Sequence, residues 1–205
     1  EPLSALDKKL REQMQFEMRR LQRSLGITFV MVTHDQYEAM TMSDRIGVMF
    51  NGRLVQVDAP ATLYARPSSR DVASFIGEMN FLPADVTDKH GEALDVDAPG
   101  FGHLHIPTNP NVTTAGRSIT LGIRPEQLEI SKSAPDGYDA TVEGEVRDVA
   151  FYGENVHYHV SVAGMDAPIA VSVPNYFHTV DHEPGDKVWL GVQAASVIEL
   201  GQQEN

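Results

Sequence analysis

The sequence predicts an α/β segment over residues 1–77, followed by an all-β barrel or sandwich over residues 78–205. Three observations support this. An amphipathic helical pattern leads into a short, nearly all-apolar run near the start of the chain. After residue 80 the helical periodicity fades, and short β-type runs alternate with Gly, Pro, Asn and Asp. The charge changes at the same place: residues 1–77 hold 10 Lys and Arg against 9 Asp and Glu, whereas residues 78–205 hold 6 against 20.

The composition is that of a globular protein, with 41% hydrophobic and 22% charged residues among 205. The sequence contains no run of 18 apolar residues, the kind of segment that spans a bilayer as a helix. Cys is absent, which excludes disulfides and thiolate metal sites. The acidic second part argues against a nucleic-acid partner, because phosphate contacts need clustered Lys and Arg. Its charge favours either a solvated, solubilising surface or the attraction of a cationic solute.

The first segment begins with a predicted helix over residues 6–25. Apolar side chains recur at spacings of three and four along one face: Leu6, Leu10, Met14, Met18, Leu21 and Leu25. Gly26 occupies the position in which glycine commonly ends a helix. Residues 27–33, Ile-Thr-Phe-Val-Met-Val-Thr, are almost entirely apolar and predict a strand buried on both faces, as in a parallel sheet. A helix leading into such a strand is half of an α/β crossover unit.

A short helix and a hairpin come next. Asp35 and Glu38 have the spacing of a capping box and predict a helix over residues 36–42. Residues 44–58 predict a hairpin, because Asn51-Gly52 supplies the two positive-φ residues of a type I′ turn between alternating apolar runs. The remaining predicted helices are residues 61–65 and 69–76.

From residue 80 onward the predicted strands are short and separated by turn residues, which suggests a small barrel or sandwich. They cover residues 81–86, 102–106, 118–124, 138–151, 155–162, 169–173 and 187–193. Gly144 lies within the alternating run of residues 141–149 and indicates a bulge or a bend there. Trp189 is interpreted as a core or interface residue rather than a binding platform.

Two short motifs carry the candidate chemistry. Glu1-Pro2-Leu3-Ser4-Ala5-Leu6-Asp7 opens the sequence, and Val32-Thr33-His34-Asp35-Gln36 follows about one helix later. His34 would stand at the carboxyl end of the predicted strand, where α/β sheets place ligand-binding groups. From the residues alone, Asp7 can also be a helix N-cap, and His34 can also be a partly buried histidine bonded to backbone.

Together the two motifs resemble the ATP-binding subunits of bacterial ABC importers. The match continues through Glu38–Ile46, Asn51–Arg53, Asp58–Pro60, Leu63–Pro67 and Val72–Gly77, and its strongest later part is Leu121-Gly122-Ile123-Arg124-Pro125-Glu126. The resemblance implies an α/β remnant of a P-loop ATPase domain over residues 1–77. It implies an all-β, OB-like (TOBE) barrel region over residues 78–205, and identifies the sequence as the C-terminal part of such a subunit.

The resemblance also implies roles for single residues. Glu1 would orient the water that attacks ATP, and His34 would contact the γ-phosphate. The loop at the seam between two ATPase subunits would contain Ser4, Ala5, Leu6 and Asp7. ATP and Mg²⁺ are the implied cofactors of the parent protein, with neither expected to be held by this part of the chain alone.

The expected partners are a second ATPase subunit in a homodimer, membrane permease subunits and, indirectly, a periplasmic solute-binding protein. The expected location is the cytoplasmic face of the bacterial plasma membrane, and the TOBE region is expected to be regulatory or dimer-forming. Residues 75–80, Phe-Ile-Gly-Glu-Met-Asn, are most similar to the polyamine-importer type, which implies uptake of putrescine or spermidine. A sugar or glycerol-phosphate importer is the alternative within the family, because residues 80–83 resemble the sugar type.

The sequence lacks a Gly-x-x-x-x-Gly-Lys-Ser/Thr phosphate loop, a Leu-Ser-Gly-Gly-Gln signature and a Walker B strand. We therefore expect this chain by itself to be inactive and to bind ATP weakly at most. We also expect the apolar face of the first helix and residues 27–32 to be exposed. Residues 1–50 should then be rearranged or protected by self-association.

Two alternative interpretations stay open. The chain could be a non-enzymatic, ligand-binding or regulatory β module, similar to oxyanion-binding TOBE proteins. His103 and His105 share one face of a predicted strand, as do His157 and His159, and two such pairs could form a metal site. No neighbouring segment supplies a convincing third and fourth ligand, so we interpret them as ordinary strand histidines.

Overall fold

The computed structural model describes residues 7–113, 116–176 and 181–201. The chain divides into two compact units. The first runs to Ala65 and takes in Phe75–Gly77, and the second comprises Arg66–Ser74 and the chain from Glu78 onward. Residues 66–74, which the predicted boundary places with the first segment, thus group with the second.

The first unit is built from short helices and one hairpin. Its elements in chain order are α1 (Lys8–Leu25), α2 (Gln36–Met42), β1 (Ile46–Phe50), β2 (Arg53–Asp58) and α3 (Pro60–Ala65), and α4 (Arg70–Phe75) follows across the division. Asn51 and Gly52 have positive φ angles of 50° and 76°. The predicted two-residue turn between β1 and β2 is therefore confirmed.

The ends of α1 are determined by local caps. The Asp7 side chain accepts a hydrogen bond from the Leu10 N–H at 2.9 Å, which satisfies one of the unpaired amides of the first turn. At the other end Gly26 is left-handed, with φ 65°, and its N–H donates to the Gln22 carbonyl at 3.0 Å. The predicted N-cap and C-terminal glycine are both confirmed.

Residues 27–33 do not form the predicted buried strand. A strand needs a neighbour that pairs with its N–H and C=O groups, and no described strand pairs with this segment. Its apolar side chains are instead exposed, with Val30 at 83% and Val32 at 81% of their maximal accessibility. On α1, Phe16, Leu21 and Leu25 are exposed as well. The predicted exposure of this apolar surface is confirmed.

The second unit contains two antiparallel five-stranded sheets. Its strands are β3 (Asn80–His90), β4 (Ala93–Ala98), β5 (Gly102–Pro107), β6 (Ser118–Ile123), β7 (Leu128–Ser131), β8 (Ala140–Phe151), β9 (Asn155–Val162), β10 (Ile169–Pro174), β11 (Lys187–Val192) and β12 (Ile198–Leu200). One sheet has the order β12-β6-β3-β4-β5, and the other has the order β10-β9-β8-β11-β7. Buried side chains of both sheets form one hydrophobic cluster, so the sheets share a core. The predicted all-β, barrel-like class of this part is confirmed.

The two sheets are built on the same plan. In each, a long strand pairs with the next strand and with one later strand: β3 with β4 and β6, and β8 with β9 and β11. Both long strands change register at equivalent places, between Val86 and Asp88 and between Val146 and Asp148. The second unit therefore contains an internal structural repeat, although the sequences of its two halves show little similarity.

The two repeats exchange their last strands. A 3-10 turn follows both β6 and β11, and the short strands after these turns cross over: β7 pairs with β11, and β12 pairs with β6. The similar sequences Leu-Gly-Ile in β6 and Leu-Gly-Val in β11 mark the equivalent positions. In both, a Cβ atom on the glycine would lie 2.8 Å from a side-chain atom, of Met79 for Gly122 and of Tyr138 for Gly191. Close packing therefore explains why both positions are glycine.

Gly144 marks a close approach of two strands. Of the predicted bulge or bend at this residue, the bulge is wrong, because the pairing of Gly144 is regular on both sides. The irregularity of β8 lies further along, between Val146 and Asp148. A Cβ atom on Gly144 would lie 2.4 Å from Val160 Cγ1 and 2.9 Å from the Ser161 carbonyl oxygen. There is no room for a side chain at this position.

We expect Gly144→Ala to lower the free energy of unfolding by about 1–3 kcal/mol, the usual cost of overpacking a core. Urea unfolding followed by the fluorescence of Trp189, the single tryptophan, measures this. In a Val160→Ala background the same substitution should cost less, because one of the two clashing atoms is gone. Equal costs in both backgrounds would contradict the close-approach explanation.

Candidate functional site

The residues predicted to form the site fall at the start of the first unit. Glu1, Ser4, Ala5 and Leu6 lie outside the described residues. Asp7 is the N-cap of α1, and His34 lies in the bend that leads into α2. Asp7 and His34 are therefore the predicted site residues that the structure describes.

Polar contacts connect α1 with α2. Arg11, in the first turn of α1, places Nη1 3.7 Å from Oδ2 of Asp35, the residue that precedes α2. Further along, Arg19 Nη1 donates to the Thr41 carbonyl in the last turn of α2 at 2.6 Å. Because the contacts advance in the same sense along both helices, the helices run in the same direction. The stretch around Asp7 and the bend containing His34 therefore lie at the same end.

His34 is exposed, and its neighbours in the chain are held in place. Asp35 caps α2: its Oδ1 accepts hydrogen bonds from the N–H groups of Tyr37 at 2.8 Å and Glu38 at 3.2 Å. The Thr33 hydroxyl accepts from the Asp35 N–H at 3.0 Å and donates to Oε2 of the buried Glu38 at 2.8 Å. Of the predicted capping box, the bond from the Glu38 N–H to Asp35 is present, whereas the Asp35 N–H donates to the Thr33 hydroxyl instead of to the Glu38 carboxylate. His34 thus projects from a fixed turn rather than from the end of a strand.

The four strand histidines do not come together. His103 and His105 lie on β5 of one sheet, whereas His157 and His159 lie on β9 of the other. His157 contacts the Tyr152 ring at a tilt of 56°, with ring centroids 4.8 Å apart, and its Nδ1 lies 3.7 Å from Oε2 of Glu78. Across residues 7–113, 116–176 and 181–201, no three His, Asp or Glu side chains are placed to hold a metal ion together.

The histidines of β5 pair with aspartates of β4. His103 Nδ1 lies 2.9 Å from Oδ1 of Asp97, and His105 Nδ1 lies 2.6 Å from Oδ1 of Asp95. The hydrogen bond with His105 holds the pKa of Asp95 below its usual range. These pairs could not be predicted, because β4 itself was not predicted. Its alternating Asp residues face outward and weaken the β signal.

Buried polar residues of the second unit also went unrecognised in the sequence. Arg124 is only 2% exposed, and its Nη1 donates to the Glu78 carbonyl at 3.0 Å. The Asn109 side chain donates to the carbonyls of Pro67 and Glu199 at 2.8 and 2.9 Å. Asn80 bonds both the N–H and the C=O of Ala170. These side chains satisfy backbone groups of distant segments, so their role is structural.

His182 is a buried histidine that the motifs did not indicate. It is 5% exposed and lies edge-on to the Tyr158 ring at 5.6 Å, and among the described residues its Nδ1 has no hydrogen-bond partner. Burial lowers the pKa of His182 below its ordinary value, and Lys132 adds to the lowering, whereas Asp181 and Asp186 oppose it. Protonation is thus disfavoured in the folded state.

Acidification should therefore destabilise the second unit through His182. Because the unfolded chain binds the proton more readily, stability present above about pH 6.5 is lost as the pH falls through the folded pKa, by about 1.4 kcal/mol per unit of lowering. His182→Phe should flatten the dependence of the urea midpoint between pH 7 and pH 5. His103→Gln, at an exposed histidine, is the matched control. An unchanged pH slope in His182→Phe would contradict the assignment.

No helix in the part of the chain that the structure describes is long and apolar enough to cross a membrane.

Comparison with known proteins finds one matching family model and a set of curated relatives. Residues 121–200 match the TOBE domain family. The spermidine/putrescine import ATP-binding protein PotA of Thermobifida fusca is 42% identical over 93% of this chain and 49% of its own length. The proteins of the same name from Frankia alni and Ruegeria pomeroyi are 41% and 44% identical, over 93% and 79% of this chain and 43% and 42% of their own lengths.

The chain therefore spans about half the length of the curated relatives it matches. Among solved structures, a chain of the cytoplasmic molybdate-binding protein ModG with molybdate bound is 15% identical and has a TM-score of 0.49. The alignment covers 58% of this chain and 94% of that one. The chain is thus similar over most of its length to part of several import ATP-binding proteins, and residues 121–200 match the TOBE domain family.

Proposed function

We propose that this chain is the C-terminal part of the ATP-hydrolysing subunit of an ABC importer, and that the importer takes up polyamines. The observation that carries the proposal is that the motif ending at Asp7 and the motif containing His34 lie at the same end of the first unit. The Asp7 end of α1 and the turn holding His34 lie together, joined by the contact between Arg11 and Asp35. The identity of 42% to a spermidine/putrescine import ATP-binding protein supports both the family and the solute.

Each predicted site residue has a role in this proposal. His34 contacts the γ-phosphate, for which its exposure on a fixed turn is suitable. Glu1 orients the attacking water, and the loop from Ser4 to Asp7 lies at the seam with a second ATPase subunit. Residues 1–77 are then the end of the ATPase domain, and residues 78–205 are the TOBE region, which is regulatory or contributes to the dimer.

The residues of this chain fit only part of an ATP site. His34 suits a phosphate contact, but the sequence contains no Gly-rich loop with a lysine to surround the phosphates. Mg²⁺ and most of the nucleotide would thus be held by other segments of the subunit. The proposed partners are a second copy of the subunit, membrane permease subunits and, indirectly, a periplasmic solute-binding protein, at the cytoplasmic face of the bacterial plasma membrane.

Transport by the complete system tests the function. The protein encoded by the whole reading frame is produced together with its permease subunits. The complex is then studied in inside-out membrane vesicles or in proteoliposomes, in the presence of the solute-binding protein. We expect ATP-dependent movement of labelled putrescine or spermidine, and none of maltose or glycerol phosphate. Transport of a sugar instead would overturn the polyamine assignment, and absence of any ATPase activity would overturn the family role.

The 205-residue chain alone should bind Mg-ATP with a dissociation constant of about 1 mM or more. The reason is that it offers a single histidine contact and contains no phosphate-binding loop. Isothermal titration calorimetry of the purified chain measures this. The complete subunit, titrated under the same conditions, is the positive control. Micromolar affinity in the 205-residue chain would show that it holds nucleotide through residues we have not assigned.

A further inference from the structure

We propose that Arg11 is a positioning residue that ties the start of α1 to the turn carrying His34. The inference rests on the proposed function and adds to it a route by which the subunit seam influences the γ-phosphate contact. Arg11 belongs to neither motif that the sequence singled out. It lies between them in space, because its side chain reaches from α1 to the residue next to His34.

On one side Arg11 is bonded directly to the seam loop. Its backbone N–H donates to the Asp7 carbonyl at 2.9 Å, the first helical hydrogen bond of α1. The Asp7 side chain caps the same turn through the Leu10 N–H. Asp7 and the Arg11 backbone are thus parts of one closed turn, and a displacement of Asp7 would move Arg11 with it.

On the other side Arg11 contacts the carboxylate of Asp35, which also caps α2. Oδ1 of Asp35 accepts from the N–H groups that open α2, and Oδ2 faces Arg11 at 3.7 Å. The carboxylate therefore has one oxygen for the helix cap and one for the contact with α1. Since Asp35 is the next residue after His34, its orientation determines the backbone from which the imidazole projects.

The contact is suited to orientation rather than to stability. The side chains of Arg11 and Asp35 are 30% and 37% exposed, and ion pairs in that range contribute little to folding because water screens them. Thr33 fixes the other neighbour of His34 through its bonds with Asp35 and Glu38. Both neighbours are held locally, and the contact between Arg11 and Asp35 connects this turn to α1.

The first experiment uses the 205-residue chain and needs no nucleotide. Amide hydrogen exchange is measured at Tyr37 and Glu38, whose N–H groups bond to Asp35. Arg11→Ala should accelerate this exchange about two- to five-fold, the range that corresponds to a half-exposed ion pair. Arg20→Ala is the matched control, because Arg20 lies on the same helix and pairs with Glu17 of that helix at 3.6 Å. Equal exchange in both variants would overturn the inference.

The second experiment measures ATP hydrolysis by the complete subunit. Arg11→Ala should lower kcat about three- to ten-fold with KM unchanged, because a misplaced contact costs rate rather than binding. Asp35→Asn keeps an oxygen for the helix cap but removes the charge, so it should have the same effect. The double variant should be no worse than either single one, and Arg11→Lys should recover part of the rate. If the losses of kcat in the two single variants add up in the double variant, the proposed coupling of Arg11 with Asp35 is wrong.

The two experiments separate the inference from the function on which it rests. If Arg11→Ala changes the exchange but the complete subunit hydrolyses no ATP, the contact stands and the proposed function fails. If the subunit is active and Arg11→Ala changes neither kcat nor exchange, the function stands and the inference fails.

Discussion

Replacing His34 with Ala in the complete subunit is expected to lower kcat for ATP hydrolysis by about 10²–10³-fold, the usual cost of losing one preorganised group at a developing charge. KM for ATP should change much less, since most nucleotide contacts would lie in other segments. The structure supports this expectation in two ways. The side chain of His34 is exposed, and its neighbours Thr33 and Asp35 fix the turn from which it projects. Steady-state ATPase kinetics of the purified subunit measure the effect.

His103→Ala is the matched control, because His103 is another exposed histidine but belongs to a strand of the second unit. Its removal should leave kcat unchanged. His34→Gln keeps a hydrogen-bond donor and should lose less activity than His34→Ala. If His34→Ala and His103→Ala have equal activity, the proposed γ-phosphate role of His34 is wrong.

The helices and the hairpin of the first unit could be predicted because their signals are local. Asp7, Asp35 and Gly26 cap helix ends through bonds to residues only two to four positions away. Asn51-Gly52 determines its turn through its own backbone angles. Such signals operate whether or not the rest of a fold surrounds them, and they also placed α2 directly after His34.

The strand predicted over residues 27–33 failed because a strand is not a local structure. The apolar composition reports burial between neighbours, but pairing requires other strands, and no described strand pairs with this segment. For the same reason the exchange of β7 and β12 between the repeats could not be foreseen. Both strands are at most four residues long, and their partners lie about sixty to eighty positions away in the sequence.

The candidate site shows the same division. The types of residue at Asp7 and His34 were enough to suggest a nucleotide-related role through their resemblance to a family. The contact between Arg11 and Asp35 was invisible, because it depends on how α1 lies against α2. The pairs of His103 with Asp97 and of His105 with Asp95 likewise depend on the register between β4 and β5. Distance and register, which a single sequence does not contain, were the missing information.

The side-chain amide of Asn80 bonds to the backbone of Ala170 in the way that the backbone of a neighbouring strand would. Its Nδ2 donates to the Ala170 carbonyl at 2.8 Å, and its Oδ1 accepts from the Ala170 N–H at 2.7 Å. Both residues are buried. Asn80 begins β3 in one sheet and Ala170 lies in β10 of the other, so one amide side chain joins the two sheets across the repeat.

Asn80→Ala should therefore lower the free energy of unfolding by about 2–5 kcal/mol, because it leaves both backbone groups of Ala170 buried without partners at about 1–3 kcal/mol each. Urea unfolding of the 205-residue chain, followed by Trp189 fluorescence, measures the loss in the unit concerned. Asn111→Ala is the control: Asn111 is exposed and donates to the Arg66 carbonyl at 2.9 Å, so its cost should stay within about 0.5 kcal/mol. Equal midpoints for the two variants would show that the sheets hold together without this amide.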